Sequence, residues 1–347
     1  MSTESEHRAR ASMGIAGFGV WALAISACVG QTSQPVALRS FGACVVVEVS
    51  TNAAASGRNL LAACEAAGVG GPAVAARTSG ERTAVLVPPG TYDMGSNQLV
   101  LARDRVDLVG LSSVPEHQHI VGRSAGMNSG VIRQTADDVR LENLFVECTL
   151  SDGLVQYNPS DSAAYFPDSG LTNTVVRNCR FKGDDRNAWS MRIGIDYAGT
   201  YEDSRGGAYS FGGYYGKASG AFKRCSGLNA CFGGAVGIAC GRFVDCTGGD
   251  YSFAGHYGVA SGVFDHCRMA GWPWGGVLSG KLEGCQWQDG VTVTNGAAIY
   301  DSTIRGSVTG VGAGVCRIAH VRCRALDLGA VTNLIQNAAN VADTHIE

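Results

Sequence analysis

The sequence predicts an all-β chain wound as a right-handed parallel β-helix, and three observations carry that expectation. Cysteine recurs at one fixed interval, at Cys225, Cys246 and Cys267. Its neighbours recur with it: Phe211, Phe232, Phe253 and Trp274 form one row, Phe222, Phe243 and Phe264 a second, and Gly220, Gly241 and Gly262 a third. Laid two intervals apart, YSFGGYYGKASGAFKRC (209–225) and YSFAGHYGVASGVFDHC (251–267) agree at 11 of 17 positions. Self-similarity at so short a fixed period means one supersecondary unit per repeat, each burying the apolar face of the next. The units lack the i, i+3, i+4, i+7 apolar spacing of helices and are rich in glycine. Short apolar runs broken by Gly212-Gly213 and Gly216 read instead as brief strands joined by tight turns. With coils about 4.8 Å apart, cysteine and serine (Ser204, Cys225, Cys246, Cys267, Cys285, Ser302, Cys323) are expected to stack in one core row and phenylalanine in another.

From the N-terminus, residues 1–28 have a separate character. Arg8 and Arg10 precede an apolar run, Met13 to Ala27, too short for a comfortable membrane span and the length of a secretory signal core. It ends in Ile25-Ser26-Ala27-Cys28, which resembles the lipobox of bacterial lipoproteins. That resemblance implies an exported protein, extracellular or held at the cell envelope by a lipid on Cys28. The same run also reads as an opening strand. Residues 29–347 are expected to form one β-helix domain of about ten coils. An amphipathic helix over 51–67 carries Leu60, Leu61, Cys64 and Ala67 on one face, with Ser50 or Thr51 as N-cap and Gly68 as stop, and plugs the open end of the core. Coils follow over 83–325, with Asn143 a candidate for a turn ladder, and 326–347, where the repeat fades, is expected to be the distal cap. The polar and aromatic stretch Ser151 to Ser169 reads as a loop leaving the stack.

The helix followed by Val85-Leu-Val-Pro-Pro-Gly-Thr-Tyr92 and then Val106-Asp-Leu-Val-Gly110 resembles the start of pectin-lyase-like right-handed β-helix proteins, among them the pectate-lyase and tailspike types. Phe41-Gly-Ala43 fits the same opening, while Cys44 to Ser50 replace its usual G-D-G-x-x-D. The resemblance implies a superfold that hosts polysaccharide lyases, hydrolases, esterases and silent adhesins, so it leaves activity open.

A net charge of −3 offers no footprint for nucleic acid. The 13 cysteines show no C-x-x-C pair and no zinc-type His/Cys spacing, so neither metal nor cofactor is expected. Exported domains usually pair their cysteines, but side chains in register point the same way, a poor geometry for disulfides. Buried free thiols are therefore expected, and a cytoplasmically assembled phage tail product stays open.

Chemistry is sought in the densest polar segment, 182–202. Asp184 and Asp185 could do acid and base work in glycoside cleavage, with Asp196 as a further carboxylate and Arg192 to hold a uronate. Compared with polygalacturonases, Gly183-Asp-Asp185, Gly255-His-Tyr257 and Arg192-Ile-Gly194 are partial matches in the wrong order, and the pectate-lyase strings are absent. Gln134 with Asp137, Asp138 and Arg140 offers one weak likeness to pectin methylesterases. For binding, Tyr214, Tyr215, His256, Tyr257 and Trp272 fall in or beside one turn of successive coils, where aromatic faces suit sugar rings. Two functions follow: a protein that binds, and by extension cleaves, a polysaccharide or cell-surface glycan, or a non-catalytic structural or adhesion shaft of the surface or phage tail-fibre type. Oligomeric state is not legible in one chain.

Overall fold

A computed structural model describes residues 43–68, 82–123, 129–149, 162–184, 189–270, 276–333 and 341–342, all within one compact unit, Leu38–Glu347. The apolar run with Cys28, most of the 151–169 stretch, and Asp185, Trp272 and Trp274 lie outside the described residues.

Every strand pairing is parallel, and each strand meets the one a coil earlier. Thr83–Val87 pairs with Val106–Gly110, which pairs with Arg140–Glu142, and the series builds a 13-stranded sheet along the molecule. Two further columns of short strands complete each coil. One holds Gly90–Asp93, Gln118–Gly122, Phe145–Cys148 and Arg180–Lys182, and the other Leu99–Leu101, Ser129–Gln134, Ser162–Pro167 and Trp189–Met191. Near the C-terminal end the long strand Thr303–Gly310 belongs to both. With crossovers in the right-handed sense that parallel connections take, this is the right-handed parallel β-helix that the repeat predicts. The strands run on past 325, since Val331–Asn333 pairs with Gly314–Ala319.

The core is a set of rows. Along the long sheet Tyr201, Phe222, Phe243 and Phe264 stack at 5.0, 5.0 and 4.8 Å with nearly parallel planes. Facing them, Phe211, Phe232 and Phe253 stack at 4.9 Å and meet the first row edge-on at 5.6–5.8 Å. Each buried ring contributes about 1.5–3 kcal/mol of hydrophobic stabilisation, and aromatic pairing adds about 0.5–1.5 kcal/mol. The cysteine row packs beside them. Cys225 Sγ donates to Tyr201 O at 3.2 Å, Cys246 Sγ to Phe222 O at 3.4 Å and Cys285 Sγ to Phe264 O at 3.3 Å, so these three thiols bond to the coil before them. Burial pushes the Cys179 and Cys231 thiols up to about 12 and Cys225 well above its usual range. All described cysteines are free.

The row that follows the long sheet turns every coil through a left-handed residue: Asn143, Asn178, Asp203, Arg224, Asp245 and His266 have φ between 47° and 57°. Each N–H donates to the next coil, as Asn178 does to Glu202 O at 2.9 Å and Arg224 to Val244 O at 2.8 Å. Those bonds offset the cost of a left-handed side-chain-bearing residue, about 1–2 kcal/mol. Asn143 heads this ladder, its Oδ1 accepting from Asn178 Nδ2 at 2.8 Å.

The helix spans Ala53–Gly68 and packs against the first coil through Leu60, Ala63 and Ala67. Asn52 is its N-cap: Oδ1 accepts from the Ala54 and Ala55 N–H groups at 2.9 and 3.1 Å. Ser50, one of the two expected caps, instead accepts from the Asn52 N–H through its hydroxyl at 3.2 Å, and its backbone N–H and carbonyl exchange hydrogen bonds with the Ser56 hydroxyl.

Candidate functional site

The polar set of 182–202 goes to separate partners. Arg192 donates to Pro167 O at 3.3 Å, lies 3.6 Å from Asp168 and stacks over the Phe166 ring at 4.3 Å. Asp196 holds Lys217 at 3.2 Å and accepts from the Ser219 hydroxyl at 2.5 Å. Asp184 instead lines a groove of 710 Å³ that neither of them lines. Gln134 is buried, bonded to Thr174 and Tyr165, Asp137 is held by Asn173 and Asp138 by Arg82. Three members of the esterase-like combination, Gln134, Asp137 and Asp138, are therefore held by residues of neighbouring coils. Among the described residues no group of three or more His, Cys, Asp or Glu side chains is arranged to hold a metal ion.

The aromatic expectation fares differently. The turn between the second and third columns is long in the repeat region (206–216, 227–237 and 248–258), and it stacks coil on coil: Val236 N donates to Tyr214 O at 2.7 Å and Tyr257 N to Ala235 O at 2.8 Å. Tyr214 sits at φ 60°, and the next side chain, Tyr215, is 70% exposed. Two coils on, Tyr257 is 71% exposed at the equivalent place, with Val236 between them. Half-buried rings prop both tyrosines: Tyr214 meets Tyr215 at 4.5 Å, edge to face, and His256 meets Tyr257 at 3.9 Å. Beside this column runs a second outward row, Lys217, Ile238 and Val259, whose two aliphatic members are 42 and 41% exposed.

Rings also connect the column to the groove. Tyr214 meets Tyr209 at 5.9 Å, and Tyr209 meets Trp189 edge-on at 4.4 Å. Trp189, Tyr209, Leu228, Lys182 and Arg205 line the groove with Asp184. Among the described residues the buried Trp189 Nε1–H finds no hydrogen-bond partner, a donor left over at the groove wall. Lys182 is held by Glu147 at 2.7 Å. Burial alone would raise the Glu147 carboxyl, but Lys182 and His119, 3.0 Å away, outweigh it and hold it below the usual carboxylate range.

Of the expected binding residues the structure brings Tyr214, Tyr215, His256 and Tyr257 into one column; Trp272 lies outside the described residues. Sequence reasoning passed over Trp189, Tyr209 and Tyr251 as binding groups. The signal for the tyrosines was present, since Tyr209 and Tyr251 open the two matching segments of the repeat, and Tyr251 meets His256 at 5.1 Å.

No protein-family model matches the chain, and no curated protein does. Among solved structures, the pectin methylesterase PemA of Erwinia chrysanthemi is similar over 88% of this chain and 94% of its own, at 10% identity and a TM-score of 0.34. ORF18 of Geobacillus virus E2 covers 82% of this chain and 57% of its own, at 11% identity and 0.32. The A-module of the mannuronan C-5 epimerase AlgE4 of Azotobacter vinelandii covers 83% and 96%, at 12% identity and 0.28. At such values the fold assignment rests on the strand pairing itself, which is that of a parallel β-helix.

Proposed function

We propose that this protein binds a polysaccharide on the stacked turns that carry Tyr214, Tyr215, His256 and Tyr257, with the Trp189–Tyr209 groove as the continuation of that face. The exposure of Tyr215 and Tyr257 in register carries the assignment. A lone exposed tyrosine is ordinary; two, each braced by a second ring and set on a rigid stack, form a preorganised platform for the apolar faces of sugars. Cleavage is not part of the proposal, because Arg192 and Asp196 are committed to Asp168 and Lys217. A glycan-array screen of residues 29–347, beside a Tyr215→Ala/Tyr257→Ala double variant, tests it. Binding that the double variant loses supports the assignment, and binding to nothing removes it.

One observation favours the alternative shaft: the ring rows from Tyr201 to Phe264 are unbroken, as a purely structural stack requires. A protein that binds no glycan but retains the fold is that shaft. Export and lipid attachment at Cys28 are proposed from the 13–28 segment alone. A mature N-terminus at a lipidated Cys28, read by mass spectrometry of the expressed protein, supports them, and an intact Met1 contradicts them.

A further inference from the structure

Aromatic rings do not occupy every coil of the column. Two positions before the paired Asp196, Lys217, Ile238 and Val259 stand Gly194, Tyr215, Val236 and Tyr257. The rings are thus two coils apart, and the buried phenyl row measures one coil as 4.9 Å. That sets Tyr215 and Tyr257 about 10 Å apart along the axis, with only Val236 between them. A second ring braces each, Tyr214 edge-on at 4.5 Å and His256 tilted at 3.9 Å. The two outward rows also carry no net charge: Lys217, the cation of the adjoining row, is paired with Asp196 at 3.2 Å, and Ile238 and Val259 continue that row.

We infer that the ligand is a neutral, extended polysaccharide with a disaccharide repeat, a β-1,4-linked chain of near two-fold symmetry lying along the coil axis. This rests on the glycan-binding assignment above. In such a chain each sugar advances by nearly one coil and turns over relative to its neighbour, so every second sugar offers the same face. Rings on alternate coils then stack on sugars n and n+2 alike, and the short Val236 leaves room for sugar n+1. A chain that coils, as α-1,4 and β-1,3 glucans do, turns away from one ring when it lies on the other. Charge complementarity points the same way, since an acidic polymer finds no free cation among the residues of the two rows.

Titration calorimetry with cellohexaose, mannohexaose, maltohexaose, laminarihexaose and the acidic hexagalacturonate, together with cellobiose and mannobiose, tests the inference. At least one β-1,4 hexaose is expected to bind tenfold or more tightly than maltohexaose and laminarihexaose. Its disaccharide, too short to reach both rings, is expected to bind at least tenfold more weakly. Tyr215→Ala and Tyr257→Ala each cost at least tenfold, and Tyr215→Phe, which keeps the ring, costs little. Preferential binding of a coiling or acidic glycan, lost in both alanine variants, keeps the binding face and overturns the two-fold ligand. No binding of any glycan, or binding indifferent to both substitutions, overturns the face as well. So does self-association that Tyr215→Ala abolishes without any glycan bound, which would assign the face to a second copy of the chain.

Discussion

Tyr215 and Tyr257 are placed where their rings contribute little to folding, since most of each side chain faces water. Replacing either is expected to leave stability within about 0.5 kcal/mol of the parent, so that loss of binding reports on the face and not on the fold. Glu147 behaves in the opposite way. Its carboxyl is held below the ordinary range by Lys182 and His119 against the effect of burial. The unfolded chain therefore binds the proton more readily than the native one. Glu147 thus contributes stability that is fully present above the unfolded carboxylate pKa of about 4.3 and is lost as pH falls through the lower folded value. Denaturation midpoints measured from pH 6 down to 3 should fall less steeply in Glu147→Gln than in the parent; identical slopes contradict the assignment. At this scale the sequence exposed the tyrosines through their spacing, but it could not show that Arg192 and Asp196 would be taken up by Asp168 and Lys217. Those partners lie on neighbouring coils, and only the strand register determines which side chains meet.

Rows, not single strands, are the working elements, because strands as short as Ile238–Ala239 and Arg242–Val244 bury little by themselves. Phe243 touches its own row on both sides and the facing row edge-on. Phe243→Ala is expected to cost about 3–5 kcal/mol, the range for a large buried ring with a residual cavity, read from chemical denaturation. A second row explains the glycines that precede the phenylalanines. A Cβ on Gly220 would lie 2.1 Å from Gly199 O, one on Gly241 2.1 Å from Gly220 O, and one on Gly262 2.3 Å from Gly241 O. Gly241→Ala must push two coils apart, and a loss of about 1–3 kcal/mol or more is expected, while a neutral result would show that the coils separate freely. Both rows were legible in the period of the repeat. The N-cap was less so: Ser50, Thr51 and Asn52 are all good capping residues, and the chain path that gives the role to Asn52 has the Ser50 hydroxyl accepting from the Asn52 N–H at 3.2 Å instead. Of the left-handed turn row, only Asn143 stood out in the sequence. Asp203, Asp245 and His266 are also residue types that enter this region more readily than most, whereas Arg224 carries no such signal; all four are held there by the N–H bonds to the next coil.

A solenoid is close to one-dimensional: each coil rests on its neighbours, and a whole coil can be removed without disturbing register elsewhere. Excising 227–247 joins Ser226 to Gly248, so that Ser226 takes the place of its bridge partner Thr247, one coil on. It brings Tyr215 and Tyr257 onto adjacent coils. The shortened protein is expected to fold with an unchanged far-ultraviolet circular dichroism signature and to lose its preference for two-fold glycans. A retained preference would show that ring spacing does not set it. The solenoid itself was legible because repetition is a sequence property. Its extension past 325 was not, since Gly314–Ala319 and Val331–Asn333 carry neither the phenylalanine nor the glycine of the repeat, and aliphatic residues fill the row with Ile299 and Ile318. The direct test of the central claim is the crystal structure of the protein soaked with the tightest-binding hexaose. Sugar rings stacked on Tyr215 and Tyr257 with one sugar spanning Val236 are the predicted result. Sugar density confined to another face, with both tyrosines bare, would contradict it.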